Sequence, residues 1–253
     1  MTVLRLQDSI TYGPVFSRRL GRSLGVNLLP TDRKVCTFDC LYCHYGRTAA
    51  IGSTAEARFP TVERVLEAVT EIVRHYPYAD YVTFSGNGEP TLHPQFPEIV
   101  AEVHRLLGGM QHRLQLALLS NSTTAQRPEI REALALLDAP ILKLDAGDTA
   151  TFAALNRPAR GVSLERIVEG LKGIPGLITQ TVLVSGRVSN ARGEAFEAWL
   201  NALAEIHPAS AQVYSTDRPV PDAGVERVPP AELRRIAGEA EARTGVKVAA
   251  YWA

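Results

Sequence analysis

Cysteine is scarce in this chain, with three in 253 residues, all of them between positions 36 and 43. An odd and tightly clustered set is a poor basis for structural disulfides and points to a metal site or to redox chemistry in a reducing compartment. An excess of charge of either sign is also lacking. Lys plus Arg number 27 and Asp plus Glu number 27, so no global positive field draws the chain to nucleic acid or to an anionic membrane, although a local basic patch is compatible with this balance. No uninterrupted apolar run approaches the roughly 20 residues of a membrane span. Residues 1–10 hold no basic stretch that leads into a long apolar core and a cleavage site. The sequence therefore predicts a cytoplasmic protein without a membrane partner. Low-complexity tracts, internal repeats and clear interdomain linkers are absent as well. With 45% apolar and 21% charged residues, the chain has the composition of a folded protein rather than of a disordered one.

What is present is an alternation. Short apolar runs rich in β-branched residues are separated by stretches of helical period, a βα repeat. Strands are expected at Leu24–Leu29, Tyr81–Ser85, Leu114–Ser120, Ile141–Asp145, Ile178–Val184 and Ala211–Ser215, with a weaker seventh at Val246–Tyr251. Between them, Val62, Val65, Leu66, Val69, Ile72 and Val73 form one helical stripe behind the N-cap candidate Thr61, and Leu164, Ile167, Val168 and Leu171 another behind Ser163. Such alternation builds a parallel sheet with right-handed crossovers, either doubly wound or curled. Six strong strands favour an α/β fold that is a partial (βα)6 barrel of parallel strands with outer helices. A single domain, 1–253, is expected. Residues 1–23 form an extension before its first strand, and residues 216–253 form a C-terminal segment suited to closing its open side. Pro219–Pro230, rich in proline, reads as a flap or a plain connection.

Cys36-Thr-Phe-Asp-Cys40-Leu-Tyr-Cys43 follows the first expected strand directly, and functional loops of such folds lie beyond the carboxyl ends of strands. Cubane iron–sulfur clusters are usually held by four cysteines. Three at this spacing leave one iron open to a substrate or cofactor. Zinc is a rival, with His44 as fourth ligand. Cys40-Leu-Tyr-Cys43-His44 also matches the c-type haem attachment pattern. A thioredoxin-type thiol pair leaves Cys36 unexplained.

The cysteine loop, with Tyr42 just before its last cysteine, resembles the cluster motif of the radical S-adenosylmethionine (SAM) superfamily. Gly86-Asn87-Gly88-Glu89-Pro90, at the end of the second expected strand, is similar to the superfamily's glycine-rich SAM-binding turn, whose glutamate receives the amino group. Glycines permit close backbone approach and a carboxylate suits an ammonium. The likeness extends to Ser17–Val26, Leu119–Asn121, Lys143–Asp148, Asn156–Pro158 and Tyr214–Pro219, and is greatest to wyosine-base synthases of tRNA and their stand-alone relatives. This resemblance implies a [4Fe–4S] cluster on Cys36, Cys40 and Cys43. It further implies SAM held by Tyr42 and Gly86–Pro90, reductive cleavage to a 5′-deoxyadenosyl radical, and an enzyme of oxidoreductase or lyase type. An external one-electron reductant of flavodoxin or ferredoxin type would then be the redox partner, and a small molecule, peptide or nucleotide the substrate. The archaeal wyosine-base synthases carry further cysteines for a second cluster, which this chain lacks. That departure and the neutral charge balance count against a tRNA substrate, which stays an alternative, as does a zinc-holding structural or RNA-interaction module.

Strand alternation puts Lys143 and Asp145 on one face and Leu142 and Leu144 on the other. With the leucines outward, the charged pair faces the lumen, as do Thr83, Ser85, Gln212 and Tyr214. A polar lumen suggests a ligand chamber, and a structural Lys143–Asp145 ion pair is the plainer reading. Asn121 and Asp145 are expected to contact SAM, and Lys143 SAM or substrate. Arg18, Arg19 and Arg22 form either an anion site or a solvated basic face. His75, His93, His104 and His112 lack metal-ligand spacing and are expected to be structural or exposed.

Overall fold

The computed structural model describes residues 3–252. Its first element lies in the expected extension. Strand β1 (Thr11–Ser17) turns back and pairs antiparallel with β2 (Gly21–Val26). Strands then alternate with helices in the order α1 (Val62–His75), β3 (Tyr81–Phe84), α2 (Phe96–Gly108), β4 (Gln115–Ser120), α3 (Pro128–Leu134), β5 (Ala139–Lys143), α4 (Thr149–Asn156), α5 (Leu164–Leu171), β6 (Ile178–Val182), β7 (Val184–Gly186), α6 (Gly193–Ile206), β8 (Ser210–Tyr214), β9 (Val225–Arg227), α7 (Pro230–Thr244) and β10 (Val248–Tyr251).

Eight strands form one sheet in the order β1-β2-β3-β4-β5-β6-β8-β10, parallel from β2 onward. The sheet is curled into a half-barrel, as expected. The weak seventh run is β10, which pairs with β8 at one edge. The run expected at Ile178–Val184 is divided, because β7 leaves the sheet to pair antiparallel with β9. That pairing orders part of Pro219–Pro230.

Local chemistry explains the boundaries. Thr61 caps α1 by accepting from the Arg64 amide, and Ser163 caps α5 by accepting from that of Arg166. Each side chain satisfies an amide left orphaned in the first turn. Strand β2 begins and ends three residues before the expected Leu24–Leu29. Asn27 ends it by folding back: its side chain donates to the Leu29 carbonyl at 2.9 Å and accepts from the Leu29 amide at 3.3 Å. This Asx turn is a frequent breaker of extended chain.

The main apolar core lies between the sheet's outer face and the helices, and Leu142 and Leu144 join it. Lys143 therefore faces inward, as the alternation requires. A small apolar cluster of Leu20, Ala117, Ala139 and Ile141 packs on the inner face. Polar groups share the lumen with it: Ser23 and Thr83 hydroxyls lie 2.7 Å apart, and Gln180 Nε2 donates to Gln212 Oε1 at 3.1 Å. Trp199 of α6 is fully buried, and its Nε1–H is shared by the Leu144 carbonyl and Thr181 Oγ1, both at 3.1 Å. Trp199→Phe keeps most of the packing but removes that donor, so it should cost about 1–3 kcal/mol. Trp199→Ala should cost about 3–5 kcal/mol. Urea unfolding of the two variants checks the ranking, and a neutral Trp199→Phe would show that the indole N–H contributes nothing.

Candidate functional site

The cysteine loop is tied down on two sides. On one, Val35 and Gly88 form an isolated parallel bridge: the Val35 amide donates to the Asn87 carbonyl at 3.0 Å and the Glu89 amide to the Val35 carbonyl at 2.9 Å. On the other, the Asp39 and Leu41 amides donate to the Asn156 and Leu155 carbonyls, each at 3.0 Å, at the end of α4. The chain passes so close at Gly88 that an added Cβ would sit 1.9 Å from the Val35 carbonyl oxygen, and the φ of +137° there is one that side chains avoid. Only glycine fits.

This bracing brings Cys36, Cys40 and Cys43 to one pocket of about 230 Å³, shared with Tyr42, Gly88, Glu89, Asn121, Lys143 and Tyr214. Each sulfur has its own nitrogen donor. Lys34 Nζ lies 3.1 Å from Cys43 Sγ, Asn121 Nδ2 3.5 Å from Cys36 Sγ, and Asn156 Nδ2 3.4 Å from Cys40 Sγ. Burial pushes the thiols of Cys36 and Cys40 up to about 12 each, against Lys34 for Cys36 and Asn156 for Cys40, which pull the other way. Burial disfavours the Lys34 ammonium, but the sulfurs of Cys43 and Cys36 outweigh it and raise its pKa. Among the described residues, no three His, Cys, Asp or Glu side chains converge as the ligands of a single ion do.

Glu89 is buried and accepts at Oε1 from the Thr91 amide and hydroxyl and from Ser120 Oγ, and at Oε2 from the Asn121 amide. Burial still raises its pKa. No cation lies within salt-bridge distance of it among the described residues. The carboxyl group thus faces the pocket without a counter-charge.

Other expected residues stand one layer back. Asn87 is fully buried outside the pocket and spends its side chain on backbone: Nδ2 donates to the Gln7 and Pro30 carbonyls and Oδ1 accepts from the Gln7 amide. Gly86 lines a neighbouring chamber, and Pro90 opens a 3₁₀ turn, Pro90–Leu92, capped by Glu89. Asp145 is a hub: it accepts from Tyr42 Oη, from Asn156 Nδ2 at 2.9 Å and from the Val182 amide at 2.9 Å. Lys143 Nζ lies 3.0 Å from Asp145 Oδ1 in an ion pair, and with that one partner for three N–H donors it keeps donors available to the pocket it lines. Burial works against that ammonium, but Asp145 and Tyr214 keep its pKa raised. The sequence assigns no role to Lys34, and it places Asn156 in a run that carries the resemblance but not as a donor. Lys34's nearness to Cys36 and the Asn-Arg-Pro run were the available signals.

A loop of three thiols at the carboxyl ends of a parallel half-barrel, facing a glycine-turn glutamate, is the architecture of a radical SAM domain. The model of the radical SAM superfamily matches residues 34–188, and the chain belongs to that superfamily. Among curated proteins it is 32% identical over 212 residues to a UPF0026 protein of Synechocystis, covering 83% of this chain and 76% of the relative. A UPF0026 protein of Methanocaldococcus jannaschii is 34% identical over 184 residues, 70% of this chain and 54% of the relative. A Brachyspira hyodysenteriae protein named GTPase Obg is 29% identical over 170 residues, 67% of this chain but 24% of that protein. The chain thus spans about half or less of these last two. Among solved structures, TYW1 with a lysine–pyruvate adduct bound superposes with a TM-score of 0.64 at 16% identity, covering 87% of this chain and 73% of that one. Streptococcus suis SuiB bound to S-adenosylmethionine gives 0.63 at 14%, covering 87% and 49%. Likeness at this distance concerns the fold.

Two outcomes follow from the geometry. Gly88→Ala should cost about 2–4 kcal/mol from overpacking and backbone strain, with loosening of residues 35–43 seen by hydrogen exchange; unchanged exchange there would contradict the bracing role. In metal-free protein, Cys36 and Cys40 should resist iodoacetamide at pH 8 and gain reactivity only as the pH climbs well above 9, because only the thiolate reacts. In unfolded protein both should label near the ordinary thiol range, about 8.5. Peptide mass spectrometry reads the difference.

Proposed function

We propose that this chain is a radical SAM enzyme that holds a [4Fe–4S] cluster on Cys36, Cys40 and Cys43 and binds SAM beside it. The observation that carries the reading is one pocket that joins three thiols, each with its own nitrogen donor, to a buried glutamate without a counter-charge. Members of the superfamily generally bind such a cluster and SAM. When bound, this pair supplies, after one-electron reduction from outside, carbon–sulfur cleavage to methionine and a 5′-deoxyadenosyl radical that takes hydrogen from a substrate.

The protein's own residues supply position and charge. Hydrogen bonds to sulfur stabilise thiolate ligands that burial alone would leave protonated, and such outer donors also tune a cluster's potential. Glu89 is suited to receive the ammonium of the amino acid end, which would offset the cost of its buried charge. Lys143, with unspent donors, is suited to an anionic or hydroxyl oxygen of the same ligand, and Asn121 to bracing Cys36. Asp145 acts as a positioning residue that holds Lys143, Tyr42 and Asn156. The zinc alternative asks four ligands to meet at one ion and gives no part to Glu89 and its glycine turn, which share the pocket with the thiols.

Anaerobic reconstitution with iron and sulfide tests the reading. Four iron and four sulfide per chain are expected for one cubane, with 5′-deoxyadenosine formed on addition of dithionite and SAM. Serine at Cys36, Cys40 or Cys43 should abolish both. Glu89→Gln should keep the cluster and weaken SAM binding roughly ten- to hundredfold, the loss of one charge-assisted contact. One zinc per chain without sulfide, or a complete cluster that yields no 5′-deoxyadenosine, would overturn it.

A further inference from the structure

A second chamber of about 430 Å³ opens beside the cysteine pocket and shares His44, Tyr45, Gly88 and Leu119 with it. Together the two fall within the range of ligand pockets, roughly 300–1,000 Å³. Two of its lining residues are Arg19, from the β1–β2 turn, and Arg218, from the segment after β8. Neither has an acidic partner within 4.0 Å among the described residues, in a chain where most arginines near them do. Arg18 and Arg227 both pair with Asp217, and Arg22 pairs with Asp80 on the outer surface. The acid nearest in sequence to Arg218 is thus already committed. Arg19 is instead held over the Tyr214 ring, 4.5 Å from its centroid, and Tyr214 also lines the cysteine pocket. This stacking fixes the guanidinium at the junction of the two cavities while leaving its in-plane N–H groups available.

We propose that Arg19 and Arg218 form an oxyanion receptor, which takes the carboxylate or phosphate of a small substrate and aims the rest of that molecule at the cysteine pocket. Guanidinium groups bind either oxyanion bidentately. The chain's overall neutrality makes the two uncommitted charges a local feature and not part of a general basic surface. The proposal rests on the radical SAM reading for the chemistry next door, but not for the binding of the anion itself.

Calorimetric titration with pyrophosphate and with succinate, on protein with and without reconstituted cluster, tests it. One of the two should bind at one per chain, and the one that does identifies the source of the oxyanion. Arg19→Gln and Arg218→Gln should each weaken that binding about tenfold or more, the loss of one charge-assisted pair. Arg22→Gln, outside the chamber, should leave it unchanged. Thermal midpoints separate lost affinity from lost fold, and Arg218, being exposed, provides a variant with little packing to lose. SAM binding to the reconstituted protein should be the same in both chamber variants. No saturable binding of either anion, binding unaltered in both variants, or an equal loss of SAM binding would overturn the proposal. A protein that fails to assemble a cluster but still binds the anion through these arginines would defeat the cofactor reading and leave the receptor standing.

Discussion

The site depends on a backbone contact, the bridge between Val35 and Gly88. Seventeen residues, 27–43, run from the end of β2 at Val26 to the last thiol, and a loop of that length has many conformations to lose. Two main-chain hydrogen bonds fasten Val35, just before the first cysteine, to the glycine turn beyond β3, and a second pair fastens Asp39 and Leu41 to the end of α4. Cys36 and Glu89 are thereby placed in one pocket by backbone geometry and not by their side chains. The glycine is required twice over, by its φ and by the carbonyl that would meet a Cβ. A single constraint therefore joins two motifs 50 residues apart.

Around that frame the polar groups form a mesh in which few atoms are idle. Asp145 serves Tyr42, Asn156, Val182 and Lys143, and Asn156 in turn reaches Cys40. Buried polar groups are stable only when partnered, so those with capacity left over are informative. The Lys143 ammonium has one partner, Asp145, for three N–H donors, and the Glu89 carboxyl has its oxygens satisfied but no counter-charge among the described residues. Both face the same pocket. A ligand bearing an ammonium at one end and an oxyanion or hydroxyl nearby would complete each, which is the physical content of the amino acid portion of SAM.

Much of the fold was legible because βα alternation and the helical stripes are strong local signals. Period alone placed Leu142 and Leu144 on one face and Lys143 on the other, the core decided which face is outer, and Thr61 and Ser163 were legible from capping chemistry. The antiparallel β1 was not legible. Its residues, with Gly13 and Pro14 inside the run and Val15 and Phe16 adjacent, show no clean alternation, and its pairing is decided by β2 across the turn. Likewise Asn27 ends β2 through a side-chain hydrogen bond to a residue two positions on, which an apolar run through Leu29 conceals. At the site, the thiols declared themselves by spacing and Glu89 through the resemblance its glycine turn carries, whereas the donor roles of Lys34 and Asn156 had no such signal. Their importance lies in where the fold carries their nitrogens, and Asn156 is 116 positions from the sulfur it approaches.

The distribution of charge shows the same division between what a count reveals and what a fold decides. Equal numbers of acids and bases describe a chain with no net field, yet the acids near the barrel mouth are unevenly shared. Asp217 takes Arg18 and Arg227, and Asp222 takes Arg47, Arg157 and Arg187. Both acids belong to the segment after β8, so that segment is latched by charge to the β1–β2 turn, to the cysteine loop and to the end of α4. Among the described residues, the latch leaves Arg218, on the same segment, and Arg19, on the same turn, with no acid within 4.0 Å. Pairs of this kind are weak individually where solvent reaches them, but several sharing two largely buried carboxylates fix the segment's position. Neutrality of the whole chain is thus compatible with a chamber of one sign, because the ion pairs that hold the segment after β8 engage the acids nearest to it.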